Sequence, residues 1–116
     1  MKRSYLLLVP LLLISSPVLS SQVVYNNYSD WVRMSEDNRA AYITGVVDSL
    51  TVYADSNAGR KAASHYFNCL IRTKITNGQL ADQVEAYVTA RPQLREGTVQ
   101  GASIGYLKEL CGLPPQ

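Results

Sequence analysis

The sequence predicts an all-α domain, a compact bundle of about four helices stapled by one disulfide, Cys69–Cys111. Three observations predict it. Apolar residues recur at three- and four-residue spacing in separate stretches, and no stretch shows the strict alternation of a half-buried strand. Capping residues, glycines and prolines punctuate those stretches where helices would start and stop. The only two cysteines bracket the last part of the chain, behind an N-terminal stretch that reads as an export signal, which argues for an oxidising compartment.

Residues 1–20 read as a cleaved signal peptide. Lys2 and Arg3 supply the positive start, residues 5–14 an apolar run broken only by Pro10, and Val18 and Ser20 the small-residue pattern before the cut. An apolar run of about ten residues is short of the roughly 20 that a spanning helix needs, so no membrane span is expected in the mature chain. No cysteine stands at the cleavage point for a lipid anchor. Taking Lys2 and Arg3 from the 11 basic residues leaves 9 against 9 acidic ones. A chain without net charge lacks the electrostatic footprint of a nucleic-acid binder, so the expected partner is a protein or a small neutral molecule. The expected location is periplasmic or secreted.

Residues 21–34 form an N-terminal arm and a short helix. Ser29 is the expected cap of a turn through Asp30, Trp31 and Met34, and Trp31, the only tryptophan, is expected to anchor the turn to the core or to serve as a partner contact. The main domain spans residues 35–116. Ser35 is a candidate N-cap, with Glu36 and Asp37 at the positive end of the helix dipole. Apolar spacing at Ala40, Ile43, Val46 and Leu50 predicts a helix over 36–54. Gly45 in its middle costs about 1 kcal/mol relative to alanine, which suggests a helix crossing close against its backbone. Asp48 is the acid beside the apolar face, with Tyr42 a turn and a half before it; both are candidate partner contacts.

The run from Asp55 to Gly59 is turn chemistry. Helical spacing then resumes over 60–71 through Ala62, Ala63, Tyr66, Phe67 and Leu70, with Cys69 near the end and His65, the only histidine, as a surface or capping residue. Thr76 and Gln79 form a capping-box pattern. Leu80, Val84, Tyr87 and Val88 give the buried face that follows, and Pro92 stops the helix at or before Arg91. Thr98 caps the last helix, where Val99, Ala102 or Ser103, Tyr106 and Leu110 share a stripe. Gly101 and Gly105, four apart, suggest a close helix–helix approach, and Gly112 is a natural stop.

Closing the loop of about 43 residues between the cysteines contributes on the order of 4 kcal/mol in the chain-entropy model. Chemistry is harder to find. The chain carries no nucleophile elbow, zincin pair, phosphate loop or EF-hand loop. One histidine and two disulfide-bonded cysteines do not make an ordinary zinc site. No cofactor and no catalytic residue are expected, and an enzyme would need a site of carboxylates alone. Tyrosine is the abundant aromatic, 8 against a single phenylalanine. Removing Tyr5 with the signal leaves seven, which either border the core or form a tyrosine-rich recognition face.

Two blocks carry a family resemblance. The first is Ala41-Tyr42-Ile43-Thr44-Gly45-Val46-Val47-Asp48-Ser49, which is similar to a Y-I-x-G-x-x-D helix. The second runs from Cys69 through Thr76-Asn77-Gly78-Gln79-Leu80 and Tyr87-Val88-Thr89-Ala90-Arg91-Pro92 to Leu107 and Cys111. In this order they resemble the Rap/Tai family of periplasmic type VI amidase immunity proteins. The resemblance implies an all-α, often dimeric protein that binds and occludes a type VI secretion effector, a peptidoglycan hydrolase. Many members have a further cysteine at the start of the first helix, where this chain has Arg39, Ala40 and Ala41, so a second disulfide is not expected. A more distant resemblance is to the HdeA-like acid-stress chaperones, also small, helical and periplasmic; the cysteine frame and the Thr76–Gln79 motif favour the immunity family.

Overall fold

The computed structural model describes residues 27–52 and 54–116. The expected signal peptide, residues 21–26 with Tyr25, and Tyr53 lie outside the described residues. Those residues form five α-helices: α1 (Tyr28–Trp31), α2 (Glu36–Val52), α3 (Asn57–Thr73), α4 (Asn77–Thr89) and α5 (Val99–Cys111), with a 3-10 turn at Pro92–Leu94 before the last. The all-α expectation holds.

Local chemistry explains each boundary. The cap of α1 is Asn27, not Ser29: its side chain accepts from the Asp30 N–H at 2.9 Å and from the Ser29 hydroxyl at 2.8 Å. The helix therefore starts two residues earlier than the serine suggests. Asn27 also makes an isolated bridge with Thr98, and the Tyr28 N–H donates to the Gly97 carbonyl at 2.9 Å, so the chain enters the fold against the start of α5. Ser35 accepts from the Asn38 N–H at 3.4 Å, a long bond for a cap. Helix α2 ends at Val52 rather than 54. Helix α3 starts at Asn57, because the Ser56 hydroxyl accepts from the Gly59 N–H at 3.0 Å and turns the apparent loop into a first helical turn. At the start of α4 both bonds of the capping box are present: Gln79 N–H to Thr76 Oγ1 at 3.2 Å and Thr76 N–H to Gln79 Oε1 at 2.9 Å. Arg91 leaves helical geometry ahead of Pro92, and Thr98 caps α5 by accepting from the Gly101 N–H at 3.0 Å.

The core lies where α2 packs on α4 and α4 on α5, with α3 laid against α2 and α5. Ile43, Val84, Val88 and Val99 are wholly buried there. Trp31 is wholly buried too, so it is a core anchor and not a partner contact; its indole N–H donates to the Arg39 carbonyl at 3.3 Å, and its ring lies tilted against Tyr28. Two glycine expectations separate. Gly105 does mark a close approach: a Cβ there would stand 2.8 Å from the Tyr87 hydroxyl. Gly45 does not, because it is exposed and a Cβ there would meet nothing within 4 Å. Helix α2 reaches α4 through Ile43 on its other side, so the crossing needs no glycine.

Cys69 and Cys111 form the disulfide, Cα atoms 5.8 Å apart, and join α3 to the end of α5. One turn earlier on α3, His65 Nε2 lies 3.0 Å from the Cys111 carbonyl and 3.1 Å from that of Gly112. Carbonyls only accept, so Nε2 carries the hydrogen and caps carbonyls that the helix end leaves unpaired. The same junction is thus held by a covalent bond and by a histidine.

Candidate functional site: an apolar groove beside a basic helix

Helix α3 turns Ala63, Tyr66 and Cys69 inward. Phe67 falls off that stripe, contrary to the expectation that it shares the buried face, and is 49% exposed; Ile71, one turn on, is 58% exposed. Stepping along this outer row by three and four gives Arg60, Ser64, Phe67, Ile71 and Lys74: a cation at each end and two apolar side chains between. Helix α3 carries Arg60, Lys61 and Arg72 and no carboxylate.

Phe67 and Ile71 border a groove of about 320 Å³ between α2, α3 and the start of α4. Val47 and Thr44 come from α2, Leu70 from α3, and Ile75 and Leu80 from the entry to α4. Lys74 and Asp48 stand on its rim. On its other side Phe67 borders a depression of about 360 Å³ shared with Arg60, Ala63 and Ser64. Lys74 is the one described residue other than glycine with positive φ, at 52° and ψ 28°, and its N–H donates to the Ile71 carbonyl at 3.2 Å to close the helix. That left-handed geometry suits glycine and strains a side chain with a Cβ.

The other residues singled out in the sequence do not gather here. Tyr42 is half-buried and borders a different cleft, of about 400 Å³, with Gly45, Ser49 and Gln100. Asp48 is exposed and faces the α3 groove, while Trp31 is inside. Trp31, Tyr42 and Asp48 therefore do not form one contact surface. Ser35, Thr76 and Gln79 are spent on helix starts. Tyr28, Tyr66 and Tyr106 are buried, and Tyr42 and Tyr87 half-buried, so the described tyrosines border the core and do not present a recognition face.

Electrostatically, charge pairs tie elements together. Arg39 on α2 pairs with Glu85 on α4 and lies over the Trp31 ring, 5.9 Å from its centroid. Arg91 pairs with Glu109 on α5 and lies 4.0 Å from the centroid of Tyr87, which in turn meets Tyr106 edge-on. Neither pair is legible in the sequence, because 46 and 18 positions separate the partners. Burial raises the Tyr66 and Tyr106 pKa values, the latter with a smaller push from Glu109. Burial and then the Glu85 charge raise that of Tyr28, against weaker opposite pulls from Arg95 and Arg39. The Tyr66 hydroxyl has no hydrogen-bond partner among the described residues. It borders another cleft, of about 420 Å³, where Lys108 is the charged lining residue among those described.

Among the described residues no group of three His, Cys, Asp or Glu side chains lies placed to hold a metal ion, and no helix is long and apolar enough to cross a membrane. No family model, no curated protein and no solved structure matches this chain.

Proposed function

We propose that the protein is a periplasmic binding module of the immunity type, which protects its cell by binding and occluding a type VI secretion effector that hydrolyses peptidoglycan. The observation that carries the reading is the pairing of the exposed Phe67 and Ile71 with an apolar groove, a surface suited to seating another protein's side chains. The order of the sequence blocks that resemble the Rap/Tai family supplies the class of partner. The disulfide agrees with an extracytoplasmic site of action. Occlusion asks for shape and rigidity and not for catalytic groups. The fold is braced by the disulfide between α3 and α5, the Arg39–Glu85 pair between α2 and α4, and the Arg91–Glu109 pair between the connector and α5.

The test is co-expression with the peptidoglycan hydrolases encoded beside the gene, followed by co-purification and a lysis assay. A stable complex and survival of toxin-expressing cells support the reading. Failure to bind any such hydrolase, with no protection, overturns it. The homodimer that the family resemblance implies is read by sedimentation in the same preparation.

A second reading, an acid-activated chaperone, draws on the same ion pairs. Arg39–Glu85 ties α2 to α4, and Arg91–Glu109 ties the connector after α4 to α5. This reading requires loosening and client protection below about pH 3, beneath the ordinary carboxylate range. A domain that stays folded and inert there removes it.

A further inference from the structure

We infer that the outer face of α3, with the groove beside it, is the docking surface, and that it takes an acidic protein surface bearing apolar side chains. The inference deepens the proposed function by naming the face.

Charge supplies the first argument. Residues 27–116 hold 9 basic and 9 acidic side chains, yet Arg60, Lys61, Arg72 and Lys74 sit on α3 and its cap, which carry no acid. The rest of residues 27–116 therefore holds four more acids than bases. Asp48 across the groove and Asp55 before the helix are the nearby carboxylates. They partly offset the cations, and Arg60 also turns back on the Ala54 and Asp55 carbonyls. The arrangement is apolar in the middle and cationic at the ends, which is how protein interfaces are built. A nucleic acid would ask for cations along the whole face in place of Phe67 and Ile71. A second copy laid face to face would bring like charges together.

Lys74 supplies the second argument, independent of the first. It holds a left-handed conformation that glycine adopts without strain. A lysine there gives up the stability that glycine would bring and lines the groove with a cationic side chain. Strained residues gather at ligand-contact positions, which agrees with a lysine held there for what it touches.

The probe is an amphipathic helical peptide of about 18 residues with Leu and Phe on one face and Glu on the other, tested beside the same peptide with Lys for Glu. Binding is followed by anisotropy and by amide shifts in the full disulfide-bonded domain. The acidic peptide is expected to bind, with shifts centred on Thr44, Phe67, Ile71 and Lys74, and added salt should weaken it. Phe67→Ser should weaken it by about tenfold or more. Lys74→Gly should weaken binding while raising Tm by about 4 °C, a pair of opposite effects that a purely structural lysine would not give. Equal binding of both peptides, shifts on another face, tighter binding of duplex DNA at the same salt, or self-association through Phe67 overturns the inference. Co-purification of the neighbouring hydrolase separates the two claims. If it binds wild type and Phe67→Ser equally, the face is wrong and the function stands. If no hydrolase binds while the peptide result holds, the function falls and the face stands.

Discussion

At the scale of single residues, two glycines have opposite environments. Gly105 admits Tyr87 against α5, and Tyr87 is itself held by Arg91 above and Tyr106 at its edge. Gly105→Ala gains helix propensity but must displace that ring, and we expect a net loss of about 1 kcal/mol by urea denaturation. Gly45→Ala meets open space in an exposed helix interior and should stabilise by about 0.5–1 kcal/mol. A loss at Gly45 would show a contact that the described residues do not contain. Trp31→Ala removes a wholly buried ring, the tilted contact with Tyr28 and the bond to the Arg39 carbonyl, at a cost of about 3–5 kcal/mol. For a small domain of ordinary stability that is enough to leave much of it unfolded near body temperature. The buried tyrosines contribute to the alkaline response. Folded Tyr28, Tyr66 and Tyr106 keep their protons to higher pH than unfolded tyrosine. Below about pH 10 both states are protonated and these groups add no slope. Above it the unfolded state releases protons first, so stability falls until the raised folded values are passed. Alkaline titration of Tm should show that decline; a flat profile would contradict the burial.

At the scale of elements, what was legible in the sequence was the chemistry that acts within one turn. The Thr76–Gln79 capping box and the Thr98 cap lie where the pattern puts them, because each is a local bond between residues three apart. Thr76→Ala should cost about 1 kcal/mol by thermal denaturation. The same local reading failed at Ser56, where Asn57 and Gly59 resemble a turn but the serine hydroxyl captures the Gly59 N–H and starts α3 early. It failed at Phe67 for another reason. Apolar spacing alone does not say which of two adjacent residues faces inward; contact with α2 and α5 turns Ala63, Tyr66 and Cys69 in and leaves Phe67 out. The candidate groove is assembled from three helices, and its Lys74 strain depends on a backbone angle, so neither was written in any one stretch.

At the scale of the whole molecule, a small core is reinforced where its ends meet. The disulfide and the His65 cap fix α3 to the end of α5, one ion pair fixes α2 to α4, and the other fixes the connector after α4 to α5. Reduction should lower stability on the order of 4 kcal/mol in the chain-entropy model, read as a shift in denaturation midpoint with unchanged helical signal at low denaturant. Two of the groove's three helices, α2 and α3, are tied in this way to the rest of the bundle. The proposed binding and silencing of a peptidoglycan hydrolase is open to a single measurement: hydrolysis of purified peptidoglycan by a hydrolase encoded beside the gene, with increasing amounts of the domain. Stoichiometric inhibition accompanied by a stable complex is the expected result. Undiminished hydrolysis at a large excess of folded, disulfide-bonded domain would contradict it.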